Sequence, residues 1–229
     1  EQFQRYHDKC VYIPENAVDM ARFGSLGSSR SESDVLRIAF VGRLVPYKGA
    51  DMLIEAAAPF VRSGRVLVDV IGDGPELGRL RALRKQLGIE QGILLDGWVP
   101  HTALAERLSK AQVFGFPSVR EFGGGAVLEA MALGLVPVVA GYAGPDELVT
   151  PQTGIRVPIG RREDIVLGLA SAIEKLLDDR ESLATMSRRA RDRVSRKFTW
   201  EAKAKQTLEV YQWVLDRGPK PDFGMPFPD

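Results

Sequence analysis

Five short apolar runs, separated by longer helical patterns, constrain this chain more than any other feature. They span 37–42, 66–72, 93–96, 112–117 and 136–140. A strand that is apolar along nearly its whole length has both faces buried, as in a parallel sheet covered by helices. Helical patterns at 50–61, 76–87, 102–110 and 126–133 fall between the runs, so an α/β chain with a parallel sheet is expected. Ligands bind such sheets at the carboxyl ends of the strands. Gly42, Gly72, Gly97 and Pro117 all end runs, which places their loops along one edge.

Outside this repeat the pattern changes. The stretch 24–33 (GSLGSSRSES) predicts an exposed loop, and ahead of it Val11-Tyr12-Ile13 is expected to dock as a further strand. After Gly160 come charged helical patterns at 162–177, 180–196 and 200–216. One domain over 1–216 is therefore expected, followed by an irregular, proline-rich tail over 217–229.

Charge and composition narrow the partners. The chain has 229 residues, 45% of them hydrophobic, enough for a substantial core. Its 31 basic and 30 acidic residues nearly cancel, so no nucleic-acid partner is expected and any bound anion must be met locally. Cys10 is the single cysteine, which fits a reducing compartment, and cytoplasmic location is the expectation. His7 and His101 form no cluster at metal-ligand spacing, so neither a metal site nor a cofactor is expected. No apolar stretch approaches the roughly 20 residues of a spanning helix. The start at Glu1 rather than methionine suggests a piece of a longer protein.

Chemistry gathers on the predicted edge. The loop Gly42-Arg43-Leu44-Val45-Pro46-Tyr47-Lys48-Gly49 sets an arginine fork and a mobile lysine where a diphosphate would bind, although two solvated loop cations would read the same in isolation. Gly72-Asp73-Gly74-Pro75 reads as a tight strand-to-helix turn with Asp73 or Pro75 starting the helix, rather than as a dinucleotide fingerprint. Trp98 and Val99, after Asp96-Gly97, could meet a flat base, or Trp98 could be an ordinary aromatic. Gly123-Gly124-Gly125 leads into a helix whose bare N–H groups favour an anion. Glu129 is the one acid on that otherwise apolar helix, and Glu121 precedes it on the loop. A ligand-facing role for Glu129 stands against a plain solvent-facing one.

In their order and spacing, Gly42-Arg43, Lys48-Gly49, Gly72-Asp73-Gly74-Pro75, Pro117-Ser118, Glu121, Glu129-Ala130-Met131-Ala132 and Gly154 resemble the nucleotide-sugar half of the retaining family 4 glycosyltransferases. The resemblance implies one Rossmann-like, doubly wound half of a GT-B fold, with C-terminal helices. It also implies that the acceptor is bound mainly by a missing N-terminal half, through which the protein could sit peripherally at the inner face of a membrane. The donor would be a nucleoside diphosphate sugar. Arg43 and Lys48 would bind the diphosphate, Glu121 would lie by the sugar, and Glu129 would hold the ribose hydroxyls. Gly42, Trp98, Val99, Phe122, Gly123, Gly124 and Gly125 would complete the donor site. Two departures stand out: Phe122 follows Glu121 directly where the family has glycine, and Ala143-Gly144-Pro145-Asp146-Glu147 replaces a paired-glycine motif, with a structural role expected for Glu147.

The implied reaction is transfer of a hexose-like sugar to a hydroxyl with retained configuration. Arg43, Lys48 and the loop amides would offset charge on the leaving diphosphate, and Glu121 would face the cationic sugar. Other classes stay open: a nucleotide-sugar-binding module inactive by itself, a GT-B epimerase or phosphorylase, and a distant NAD-dependent enzyme.

Overall fold

The computed structural model describes residues 4–23 and 34–224. The glycine- and serine-rich stretch 24–33 and the end of the tail lie outside the described residues.

Six strands form one parallel sheet: β1 (Leu36–Val41), β2 (Val66–Ile71), β3 (Ile93–Gly97), β4 (Val113–Phe116), β5 (Val136–Ala140) and β6 (Ile155–Val157). Their spatial order is β3-β2-β1-β4-β5-β6, with every neighbouring pair parallel. This is the Rossmann order, in which the chain reverses direction across the sheet between β1 and β4. β4 and β5 are buried at every position, hence their unbroken apolar sequence. The one acid inside a central strand, Asp69, is matched by Arg37, whose Nη1 lies 2.9 Å from each carboxylate oxygen.

Nine α-helices accompany the sheet among the described residues: α1 (Met20–Phe23), α2 (Ala50–Arg62), α3 (Leu77–Gln86), α4 (His101–Ser109), α5 (Gly125–Ala132), α6 (Ala143–Leu148), α7 (Arg162–Asp178), α8 (Arg180–Lys197) and α9 (Trp200–Val214). α2 packs on α3 and α7, while α5 packs on α8 and β5. Right-handed crossovers place these two groups on opposite faces. Asp51, buried in the first turn of α2, receives Arg79 of α3 at 3.0 Å and Arg162 of α7 at 2.9 Å. Burial alone would raise the Asp51 pKa, but the two guanidinium hydrogen bonds hold it below its ordinary value.

The expected α/β architecture is borne out, with three differences. Val11-Tyr12-Ile13 is not a strand. Pro14 lacks the N–H a ladder would use, and the three side chains are half-buried, Tyr12 and Ile13 near the glycine loop, instead of extending the sheet. The N-terminal piece pairs further along, through an isolated bridge between Val18 and Thr199. α3 starts after Glu76 rather than at Asp73 or Pro75, because Asp73 turns back to accept its neighbour's Gly74 N–H at 2.7 Å. β6 and α6 are additions, both too short for a periodic signal.

Candidate functional site

The carboxyl ends of β1 and β4 flank the switch point, and the loops leaving them are stitched together. After β1 the chain makes a tight turn at Pro46–Lys48 and passes through Gly49 at φ 72°. The Val119 N–H donates to the Tyr47 carbonyl at 2.9 Å, and the buried Ser118 hydroxyl donates to the Arg120 carbonyl at 3.2 Å. A Cβ at Gly49 would lie 2.8 Å from the Pro117 carbonyl oxygen, so glycine is what lets the loops close. The result brings Lys48 and Glu121, 73 residues apart, into a direct, partly buried ion pair. Lys48 Nζ also sits 5.3 Å from the Phe116 ring centroid. Arg43 leaves the same strand end exposed.

The glycine loop comes next. Gly124, at φ 68°, caps α5, and among the described residues no side-chain hydrogen bond caps the helix start. The first amides of such a helix have no intrahelical acceptor and point outward as a local positive pole. Gly144 N–H donates to the Phe122 carbonyl at 2.9 Å, fixing the loop against α6. Beyond it, α5 buries Val127, Leu128, Ala130, Met131 and Ala132 and leaves Glu129 half-buried at the edge. There His101 Nε2 lies 2.9 Å from Glu129 Oε1. The two glutamates thus have different basic partners. Gly42 ends β1 next to Arg43, and Val99 packs partly on the core, while Trp98 and Phe122 are 71% and 77% exposed, far more than packing aromatics would be.

Residues 12–16 also reach this edge, which the sequence did not signal. The Tyr12 hydroxyl donates to Glu147 Oε2, and burial pushes the Glu147 pKa up. A Cβ on Gly123 would meet Asn16 Nδ2 at 2.0 Å and Glu15 Oε1 at 2.3 Å, so the segment lies directly on the glycine loop. Between them is a cavity of about 260 Å³ lined by Tyr12, Pro14, Glu15, Phe122 and Glu147 among others. Among the described residues no group of three or more His, Cys, Asp or Glu could hold a metal ion. Nor is any helix among them long and apolar enough to cross a membrane.

A Rossmann-like sheet of this kind binds ligands in the crevice outside the carboxyl ends of its strands, at the switch point where these cations, bare amides and carboxylates gather. Residues 27–193 match the family described as glycosyl transferases group 1, and the chain belongs to that family. It is 31% identical over 207 residues to a phosphatidylinositol N-acetylglucosaminyltransferase subunit of Arabidopsis thaliana, covering 90% of this chain and 44% of the relative. It is 33% identical over 212 residues to a GDP-mannose-dependent phosphatidylinositol monomannoside mannosyltransferase of Mycobacterium tuberculosis, covering 84% and 53%. The chain thus spans about half the length of these curated relatives. Among solved structures, the sucrose-phosphate synthase of Thermosynechococcus elongatus superposes with a TM-score of 0.75 at 25% identity, over 94% of this chain and 56% of that one. Anabaena HepE, solved with UDP and glucose, gives 0.68 at 23% identity over 78% and 48%. The C-terminal domain of a group 1 glycosyl transferase from Francisella tularensis gives 0.68 at 21%, over 80% of this chain and 100% of that domain. These structures share the GT-B half-fold described above.

Proposed function

We propose that residues 1–216 form the donor-binding half of a retaining family 4 glycosyltransferase, with 217–229 as its tail. The enzyme moves a hexose-like sugar from a nucleoside diphosphate to a hydroxyl acceptor. What carries the proposal is the gathering, at the switch point, of Arg43 and the Lys48–Glu121 pair beside the uncapped start of α5. The names of two relatives add support: HepE binds UDP and glucose, and the mycobacterial relative uses GDP-mannose.

In this site the diphosphate takes the positive pole formed by Arg43, Lys48 and the amides of Gly123, Gly124 and Gly125. Gly42 lets the backbone approach, Trp98 and Val99 meet the base, Phe122 borders the sugar, and Glu129 accepts the ribose hydroxyls. As the bond from the anomeric carbon to the diphosphate oxygen breaks, its electron pair leaves with the diphosphate, and the cations and amides stabilise the growing negative charge. Lys48 is then shared between phosphate and Glu121, whose carboxylate is turned toward the cationic sugar. The acceptor oxygen bonds to the same face of the anomeric carbon while its hydroxyl proton passes to the departing diphosphate oxygen, which retains configuration. The acceptor is held mainly by the remainder of the enzyme, and the phosphatidylinositol substrates in two relatives' names favour a membrane surface for that part.

Arg43→Ala or Lys48→Ala in the full-length enzyme is expected to lower kcat/KM by about 10²-fold, the scale of losing one electrostatic stabiliser. Transfer at the wild-type rate by either variant would overturn the diphosphate assignment. Product analysis with a labelled donor separates transfer from epimerisation, because an epimerase consumes donor with no acceptor present.

A further inference from the structure

Glu129 is held by a neighbour that the donor reading has not used. His101 Nε2 meets its Oε1 at 2.9 Å, and the imidazole is in turn met by Phe23, with ring centroids 5.6 Å apart. The histidine opens α4 directly after Trp98, Val99 and Pro100, and Pro100 has φ −55°. The proline ring restricts the backbone that delivers the imidazole. Oε2 of Glu129 makes no hydrogen bond or ion pair among the described residues.

The side chains of His101 and Glu129 are 52% and 23% exposed, and so exposed a contact adds little to fold stability. Its effect falls on orientation instead. A carboxylate held by one oxygen presents the other in a single direction and loses less rotamer freedom when a ligand arrives. The contact also joins two parts of the edge that the fold supplies separately, the segment after β3 and the face of α5.

We infer that His101 is a positioning residue for nucleoside recognition: it fixes Glu129 through Oε1, turns Oε2 to the ribose hydroxyls and ties that carboxylate to the base-contacting segment. This rests on the ribose role proposed for Glu129. His101 itself touches no reacting atom.

Calorimetry on the full-length protein, using UDP and GDP each beside its 2′,3′-dideoxy counterpart, isolates the hydroxyl contribution as a ratio of Kd values. For the wild type a ratio of about tenfold or more is expected, from hydrogen bonds to a charged acceptor. His101→Ala should shrink the ratio by about threefold or more, on the same scale. His101→Gln, whose amide N–H₂ can donate to the same oxygen, should restore it, and Glu129→Gln should collapse it. If Glu129→Gln lowers the ratio and His101→Ala does not, the positioning role is overturned while the ribose role stands. An equal loss of affinity for both members of a pair in His101→Ala marks a merely structural histidine and also overturns the role. A ratio unchanged by Glu129→Gln, or no binding of either diphosphate by the wild type, removes the ribose role and the inference together.

Discussion

Gly72 has φ 147°, and a Cβ built there would lie 1.9 Å from the Gly42 carbonyl oxygen. Gly74, at φ 156°, would meet the Leu44 carbonyl oxygen at 2.4 Å. Both glycines therefore let the turn after β2 pass against the loop that carries Arg43, and the Gly-x-Gly pattern is a steric device between two loops. Gly72→Ala is expected to destabilise the fold by on the order of 2–4 kcal/mol, because the clash is with backbone and the dihedral resists a side chain. A urea midpoint equal to wild type would contradict it. Gly123 differs: the atoms a Cβ would meet there belong to the ends of the Asn16 and Glu15 side chains, which can move.

At the scale of the element, α9 is weakly anchored for its length. Lys203 is its one buried residue, while Trp200, Leu208, Tyr211 and Val214 are exposed. Among the described residues Lys203 Nζ has no hydrogen-bond partner, and it sits 5.4 Å from the Phe198 ring centroid. Burial pushes its pKa from 10.5 down to about 8. The unfolded chain therefore binds more protons than the native one between about pH 8 and 10.5, and this lysine makes stability rise with pH across that window. Below it both states are charged and the penalty is constant. Lys203→Met should stabilise the protein at pH 7.5 by on the order of 2 kcal/mol, with the advantage shrinking by pH 10. Chemical denaturation of both proteins at the two pH values checks this, and a pH-independent difference would refute it.

For the molecule as a whole, the chain spans about half of its curated relatives, and an entire solved C-terminal domain superposes on it. The proposed site lies along one open sheet edge, and in the proposed function the acceptor is presented from outside these residues. The chain of residues 1–229 alone is expected to bind a nucleoside diphosphate without transferring sugar, whereas the full-length enzyme turns over. A thermal-shift panel of nucleoside diphosphates reads the binding, since a ligand at 100 times its Kd adds about 2.7 kcal/mol to stability. Sugar transfer by the isolated chain would refute the division of labour.

Much of the fold was legible because burial on both faces forces a strand to be apolar throughout. The runs at 37–42 and 136–140 correspond to β1 and β5 within a residue, and their parallel pairing makes the ends at Gly42, Gly72, Gly97 and Pro117 share an edge. Family membership was legible too, because local spacing records the turns and helix starts of this edge. Val11-Tyr12-Ile13 misled because three apolar residues look alike whether they join a ladder or lie near a glycine loop. Asn16 near Gly123, Tyr12 on Glu147, Lys48 on Glu121 and His101 on Glu129 carried no local signal. Their partners lie 28 to 135 residues away in the chain, and side-chain pairing at that separation is set by strand order and loop closure. The sequence by itself therefore determined the layers of this protein and the chemistry along its edge. Only the tertiary structure decided which of those charges meet, because residue spacing encodes periodicity and turns but not the distance between loops.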